Sequence, residues 1–396
     1  MDRTCNYVIV GGGLEGLAIA WTLAARGETD VLVLEKETIC SGMTGKSSGV
    51  VRAHYGNKSL AAMAWYGVGV FEQATELFGD DMAFNQCGYV VGVEEKNLNA
   101  LRKNVAMMQG VGVDVELIGH DKMAELWPGL RLDDFAGFAY EPRGGRGEAY
   151  MAGMAYAAAG RREGVKIRQS TKVAELLQGT NSSVIGVRLA NGDEILAGTV
   201  ILATGPWAPE LTQPLGFDLD VRAQRAQLVL IDQGEPTPVV PVLSDLAGLS
   251  YLCREPNGEL LVGNSDHQAP QFIDPDNYVN RADDSTFEKI VEKMTHRIPH
   301  MPDPRITSSY VGAYDVTPDF NPIIGPAPVE GLFLATGFSG HGFKIAPAVG
   351  HLVADLVTKG VSAMPNVDAH DFRYSRFSEN DPLTSENPYI GAGEMR

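Results

Sequence analysis

An α/β fold is predicted for this 396-residue chain by three features of its sequence. The N-terminal strand "NYVIVGGG" precedes a helix, "LEGLAIAWTLAARG", and a second strand, "DVLVLEK", which together make a βαβ unit. Residues 199–205 and 331–337 are apolar runs that both end in Ala-Thr-Gly, so we expect them to return to the same sheet. Residues 220–310 are rich in short strands. The sequence therefore predicts a discontinuous Rossmann-like domain and a second α+β substrate domain built on a mainly antiparallel sheet.

The remaining elements follow from the spacing of apolar residues. A helix is predicted over residues 58–78, and residues 81–145 mix short strands with helical pieces. Three further helices are predicted from "AYMAGMAYAAAGRREGV", "DSTFEKIVEKMTHRI" and "APAVGHLVADLVTKG". The polar segment after Phe377 is expected to be a loosely ordered tail. These elements predict the following division of the chain: 1–82, 146–215 and 312–377 in the Rossmann-like domain, 83–145 and 216–311 in the second domain, and 378–396 in the tail.

Composition limits the classes of partner. A net charge of −18 argues against nucleic acid and against anionic membrane surfaces, although a few local cations could still bind a small anion. The four cysteines show neither a CxxC pair nor a metal-binding spacing, so we expect free thiols in a reducing cytoplasm and no metal site. The N-terminus lacks the pattern of a signal peptide. No apolar run reaches the roughly 20 residues of a membrane span, so we predict a cytoplasmic protein.

The first turn of the βαβ unit carries the spacing GxGxxG at Gly11, Gly13 and Gly16. Such glycines let the backbone approach a pyrophosphate, whose charge the helix N-terminus stabilises. Glu35 ends the next strand, where a carboxylate can accept a hydrogen bond from a ribose hydroxyl. Close packing between strand and helix also requires glycine, but the complete βαβ context favours a dinucleotide site.

The late apolar segments favour FAD over a nicotinamide cofactor. A two-part fold that binds FAD in an extended form along its sheet needs strands from late in the chain to join that sheet, whereas a domain that binds only a nicotinamide cofactor does not. The second segment leads into a turn with Gly337, Gly340 and Gly342, followed by a helix. Backbone N–H groups at that helix N-terminus can stabilise negative charge on a reduced flavin. The alternative interpretation is a mobile turn.

Together these motifs resemble the D-amino-acid-oxidase-like superfamily of FAD enzymes, and most closely its sarcosine oxidase and glycine oxidase branch. The matching segments run nearly end to end: "VIVGGGLEGLAIA", "GMTGKSSGVVRAHYG", "VILATGPWAPEL", "TPDFNPIIGP" and "GFSGHGFKIAPAVG". The resemblance implies that the chain oxidises a small amino acid or N-alkyl amino acid to an imine by hydride transfer to flavin N5.

The resemblance also implies roles for individual residues. Arg52 and Lys344 match the two cations that hold the substrate carboxylate, and a guanidinium and an ammonium are suited to that task. Tyr251 matches an aromatic residue that closes the substrate pocket, and His267 matches a histidine beside the flavin. A surface ion pair for Arg52, a solvated cation at Lys344 and structural roles for Tyr251 and His267 are the alternatives.

Further FAD contacts are expected from hydroxyl residues, from the ends of the apolar strands and from the late glycine turn. His54 and Tyr55 could pack near the flavin or fill the core, and neither is assigned a role. The positions expected to contact FAD in addition to the glycines and Glu35 are Lys36, Thr44, Ser47, Ser48, Val173, Ala203, Gly205, Trp207, Phe343 and Lys344.

Two positions depart from the pattern of the resembling oxidases. Gly312 stands where monomeric sarcosine oxidases carry the cysteine that bonds to flavin, so we expect non-covalent FAD. Gly263 stands where those oxidases place a lysine that favours electron transfer to O₂. The electron acceptor is therefore O₂ or another acceptor.

Two alternatives to an amino-acid oxidase remain open. One is a catalytic β-type subunit of a heteromeric proline- or opine-type dehydrogenase, which would have a partner subunit. The other is a flavoprotein with a structural or binding role. A homo-oligomer is also open.

Overall fold

The computed structural model describes residues 4–234, 238–266 and 269–391. Within these residues most strands belong to two eight-stranded sheets. The strands are β1 Thr4–Val10, β2 Val31–Leu34, β3 Val50–Val51, β4 Tyr89–Val93, β5 Glu116–Ile118, β6 Gly137–Glu141, β7 Gly145–Arg146, β8 Lys166–Arg168, β9 Val173–Gln178, β10 Val184–Leu189, β11 Glu194–Leu202, β12 Arg222–Asp232, β13 Val242–Asp245, β14 Ser250–Arg254, β15 Leu260–Asn264, β16 Arg305–Val316, β17 Ile323–Pro326 and β18 Leu332–Thr336.

Helices cover the first sheet, and α1 packs against α6 and α9. None of the helices in the described part of the chain combines the length and apolar character that crossing a bilayer requires. The helices are α1 Leu14–Ala25, α2 Lys58–Glu72, α3 Ala74–Phe78, α4 Glu95–Val111, α5 His120–Leu126, α6 Ala149–Arg162, α7 Ala208–Thr212, α8 Asp284–Arg297 and α9 Gly342–Lys359.

The first sheet contains the predicted βαβ unit and both late apolar strands. Its strand order is β17-β18-β11-β1-β2-β8, with β10 paired to β11 and β9 paired to β10. β1 pairs in parallel with both β2 and β11, and β11 pairs in parallel with β18. These strands lie between packed layers, which explains their continuous apolar runs. The predicted Rossmann-like sheet is confirmed.

The second sheet has the order β16-β12-β15-β14-β13-β4-β6-β5. All of its pairings are antiparallel except that of β13 with β4. The predicted mainly antiparallel second sheet is therefore confirmed. Its strands come from residues 89–141 and 222–316, so the chain leaves the first sheet and returns to it twice.

Two helices differ from their predicted extents. The helix predicted over residues 58–78 breaks at Gln73, whose backbone (φ −102°, ψ 16°) separates α2 from α3. The last helix begins at Gly342 rather than near Ala346. Its early start places Lys344 in the first turn of α9, next to the glycine turn.

The expectation of a loosely ordered tail after Phe377 is wrong for the described residues 378–391. Arg376 is fully buried and its guanidinium nitrogens lie 2.8 and 2.9 Å from the carboxylate of Asp319. The N–H of Leu383 donates to the same carboxylate at 2.9 Å, and Tyr389 is 2% exposed. These anchors are separated by polar residues, so the segment looks solvated in the sequence although it packs onto the core.

Candidate cofactor and substrate site

A cavity of about 620 Å³ opens where β1, β2 and β11 end, and it extends to the second sheet. Ligands of open α/β sheets bind at such carboxyl ends, and the volume falls within the roughly 300–1,000 Å³ of small-molecule and cofactor sites. Most residues expected to contact FAD line it: Gly11, Gly13, Glu35, Lys36, Thr44, Ser47, Ser48, Val173, Ala203, Gly205, Trp207, Gly340, Gly342 and Phe343. Tyr251 lines it as well.

The first glycine turn is shaped by close backbone contacts. Gly11 has a positive φ of 109°, and a Cβ atom there would overlap the carbonyl oxygen of Ala203. Gly16 lies outside the cavity lining. A Cβ atom there would overlap the carbonyl oxygen of Gly11, so glycine at this position lets α1 pack closely against the turn. Glu35 accepts hydrogen bonds from the N–H groups of Gly12 (2.8 Å) and Glu37 (2.9 Å). The Glu35 carboxylate is thereby fixed at the rim of the turn.

The segment that follows β2 supplies hydroxyl groups to the same cavity. The hydroxyl of Thr44 accepts a hydrogen bond from the N–H of Leu14 at 3.0 Å, at the start of α1. Ser47 accepts one from Gly49 at 3.2 Å, and Ser48 hydrogen-bonds Tyr251. These contacts tie residues 44–48 to the helix N-terminus at one side and to the second sheet at the other.

The cavity lining contains an ion pair between Lys36 and Asp276. The Lys36 ammonium lies 3.8 Å from the ring centroid of Trp207 and 2.7 Å from Oδ1 of Asp276. Burial would raise the pKa of Asp276, but its contacts with Lys36 and Trp207 hold this pKa below its ordinary value. Sequence reasoning missed Asp276, because a contact between residues 240 positions apart leaves no local signal.

Two carboxyl groups of the cavity lining, those of Asp315 and Glu15, flank the late glycine turn. Asp315 accepts hydrogen bonds from the N–H groups of Gly337 (2.8 Å) and Phe338 (3.0 Å), and burial raises its pKa to about 6. Gly337 therefore shapes the turn from outside the cavity lining. Glu15 lies inside the first glycine motif, and a Cβ atom on Gly342 would overlap its carboxylate. Burial raises the pKa of Glu15 to about 7.

The two cations expected to hold a carboxylate are brought together, but they lie outside the cavity lining. Arg52 is 7% exposed and Lys344 is 5% exposed. The guanidinium carbon of Arg52 lies 4.5 Å, and the Lys344 ammonium 5.8 Å, from the ring centroid of Tyr55. Arg52 donates to the carbonyl oxygen of His54, and Lys344 donates to that of Gly340 at 3.2 Å.

Tyr251 and Tyr314 belong to the part of the cavity wall that the second sheet supplies. The two residues hydrogen-bond each other, and the ring of Tyr251 lies over its cross-strand neighbour Gly263. A side chain at position 263 would overlap this ring, which explains why the chain has glycine there. Tyr314 was missed by sequence reasoning, and His267 lies outside the described residues.

The residues present suit a large dinucleotide. The cavity joins a glycine turn at a helix N-terminus, an acidic side chain at the end of β2 and a second glycine turn. Thr204 belongs to the cavity lining, and its buried hydroxyl has no hydrogen-bond partner among the described residues. Gly312 also lines the cavity, and a Cβ atom there would lie 3.0 Å from Cβ of Lys46.

Residues 6–356 match the DAO family, described as FAD dependent oxidoreductase. The chain is 30% identical over 389 residues to the sarcosine oxidase subunit beta of Rhizobium meliloti, which covers 94% of this chain and 88% of that protein. It is 29% identical over 385 residues to 4-methylaminobutanoate oxidase (formaldehyde-forming) of Paenarthrobacter nicotinovorans, covering 94% of this chain but only 45% of that longer protein.

Solved structures give the same fold. An L-proline dehydrogenase from P. horikoshii superimposes with a TM-score of 0.86 at 26% identity, covering 96% of this chain and all of that one. A glycine oxidase from Geobacillus kaustophilus superimposes with a TM-score of 0.79 at 24% identity, covering 95% and 99% of the two chains.

Proposed function

Because the chain belongs to the DAO family of FAD-dependent oxidoreductases, we propose that it oxidises a small carboxylated amine to an imine that is then hydrolysed. The substrate class is an amino acid or N-alkyl amino acid of the glycine and sarcosine kind. FAD is the cofactor, and it supplies the hydride acceptor at N5 of its ring. We also propose that the protein is located in the cytoplasm.

The residues of the cavity divide into two groups along the cofactor. The N-terminal glycine turn would hold the pyrophosphate, Glu35 the ribose and the backbone of Val173 the adenine. The late turn with Gly340 and Gly342 opens α9 and would direct N–H groups at the flavin ring. Gly312 provides no thiol for a covalent bond, so FAD is held without one.

One observation carries the choice of a carboxylated substrate: Arg52 and Lys344 converge on Tyr55 although they are 292 positions apart. The distances to the shared ring set an upper limit of about 10 Å on the separation of the two charges, and a carboxylate bound between them would offer each cation one oxygen. Held in this way, the acid group would fix the direction of the reacting C–H bond.

The electron acceptor is proposed to be O₂, and two observations favour a second candidate. Position 263 is a glycine, so it carries no cation to favour reaction with O₂. The ring of Tyr251 covers this position and leaves no room for a larger side chain. A relative named sarcosine oxidase subunit beta covers nearly the whole chain. The second candidate is therefore a β-type subunit of a heteromeric amino-acid dehydrogenase, in which a partner subunit or another acceptor receives the electrons.

The direct experiment follows flavin bleaching without oxygen across primary, secondary and cyclic amino acids. Bleaching by an amino acid supports the proposal, and peroxide formed on admission of air identifies an oxidase. Bleaching without peroxide identifies the dehydrogenase. A flavin-loaded protein that no carboxylated amine reduces would overturn the proposal.

A further inference from the structure

The carboxyl group of Glu15 lies between the two glycine turns of the cavity. A Cβ atom built on Gly342, the first residue of α9, would overlap Oε1 of Glu15. A Cβ atom built on Gly13, in the first turn, would lie 4.0 Å from Oε2. One carboxyl group therefore reaches toward both turns, and the glycine at position 342 leaves the room that this group occupies.

Both turns lie on the path along which FAD is proposed to bind, and Glu15 belongs to the lining of that path. The first turn would hold the pyrophosphate, and the late turn would direct N–H groups at the flavin ring. The pyrophosphate carries two negative charges, so a carboxylate placed between the turns would repel it. A neutral carboxylic acid at the same place would instead donate its O–H to an oxygen of the cofactor.

The surroundings of Glu15 favour the neutral acid. Burial raises the pKa of Glu15 to about 7. The like charge of Asp315 acts in the same direction, whereas a hydrogen bond with the backbone of Glu15 itself opposes the rise. The group is thus balanced near neutral pH, and the negative charges of a bound pyrophosphate would move that balance further toward the protonated form.

Other titratable residues come from the elements around Glu15, and they are less suited to take up a proton. Burial, together with the charges of Glu15 and Glu35, raises the pKa of Cys40 to about 12, so this thiol keeps its proton. Asp315 and Glu35 each accept two backbone N–H hydrogen bonds, which stabilise their charged forms. Lysines are cations at neutral pH. The residues concerned are Cys40, Glu35, Lys46, Asp315 and Lys344.

We propose that Glu15 is a cofactor-binding residue that contacts FAD as the neutral acid, so that binding of FAD transfers one proton from solvent to this carboxyl group. The charge of the side chain changes from −1 to 0, and one O–H bond forms. The inference rests on the proposed function for the path of FAD along the cavity.

The test measures the Kd of FAD as a function of pH, without any amine. Flavin-loaded protein is diluted, and the FAD that it releases is followed by its fluorescence. The unchanged protein is compared with Glu15→Gln, whose amide has the shape of the neutral acid and keeps a donor. Glu210 also lines the cavity and is exposed, so Glu210→Gln serves as the matched control.

The Kd of the unchanged protein should rise about tenfold from about pH 6 to about pH 8, because above about pH 7 the free protein must take up a proton to form the complex. Glu210→Gln should show the same rise. Glu15→Gln should vary less than about twofold over this range and should bind FAD about tenfold more tightly than the unchanged protein at about pH 8. A Kd that varies equally with pH in the unchanged protein and in Glu15→Gln would overturn the inference, as would weaker binding by Glu15→Gln at every pH.

Infrared absorption provides a second readout that a merely structural role would not move. At about pH 8 the flavin-loaded protein should show a C=O stretching band of a neutral carboxylic acid, and Glu15→Gln should lose this band. A spectrum in which the replacement removes only carboxylate bands would refute the inference.

The two proposals fail in different ways. If the protein binds no FAD at any pH, the proposed function is wrong and the inference fails with it. If an amino acid reduces the bound flavin but the Kd of FAD is independent of pH, the proposed function stands and only the role of Glu15 is refuted.

Discussion

The contact between Tyr251 and Gly263 predicts a strong energetic coupling. A Cβ atom at position 263 would overlap the Tyr251 ring and lie 2.5 Å from its hydroxyl oxygen, so Gly263→Ala must displace that ring. Displacement breaks the hydrogen bonds of Tyr251 with Ser48 and Tyr314, each worth about 1 kcal/mol. Overpacking typically costs about 1–3 kcal/mol when the ring cannot move. By either route, the free energy of unfolding should fall by on the order of 2 kcal/mol.

The assay is a double-mutant cycle measured by urea unfolding at a fixed flavin concentration. Tyr251→Ala removes the ring, so Gly263→Ala in that background should cost less than about 0.5 kcal/mol. The predicted coupling energy is therefore about 2 kcal/mol. Additive effects, with a coupling below about 0.5 kcal/mol, would refute the placement of the ring over position 263.

Three further predictions concern the ion pair of Lys36 with Asp276, the carboxyl group of Glu15 and the tail. Asp276→Asn should raise the rate of FAD release about two- to fivefold, because the half-exposed ion pair of Asp276 with Lys36 is worth at most about 1 kcal/mol. Asp30→Asn, which breaks an exposed pair with Lys166, serves as the control and should leave that rate unchanged. Equal rates of FAD release from the two variants would contradict this prediction. Burial raises the pKa of Glu15 from 4.5 to about 7. Between pH 4.5 and about pH 7 the carboxyl group therefore stays protonated in the folded protein but loses its proton in the unfolded chain, so the free energy of unfolding falls as the pH rises through this range. The gain in unfolding free energy from Glu15→Gln should thus be on the order of 3 kcal/mol larger at about pH 8 than at about pH 4, and a gain independent of pH would refute it. Deletion of residues 378–396 should lower the unfolding temperature by several degrees, because it exposes buried tail contacts, whereas a solvated tail would leave that temperature unchanged.

The architecture could be predicted because its signals are local. A buried parallel strand reads as an apolar run, and β1, β11 and β18 all show one. The tail was misjudged because its order depends on isolated anchors such as Leu383, whose partner Asp319 is 64 positions away. The break at Gln73 has no glycine or proline to announce it.

The candidate site was predictable where one motif fixes both sequence and geometry. The glycine turn and Glu35 line the cavity as the motif requires. The contacts of Tyr55 and Asp276 join distant parts of the chain, so their partners could not be read from spacing. Glu15 did leave a signal, namely an acidic residue inside a glycine motif expected to face phosphate, and its place in the cavity lining shows that it belongs to the site.

The claim that a carboxylate anchor defines the substrate is tested most directly by anaerobic reduction of the flavin-loaded protein and of Arg52→Met. Each is mixed with a reactive carboxylated amine and with the matched amine that lacks the acid group. Loss of charge-assisted hydrogen bonds worth about 1.5–3 kcal/mol predicts that the half-saturating concentration of the carboxylated amine rises roughly 10- to 150-fold, with less than about a twofold change for the other amine. An equal change for both amines would contradict the account.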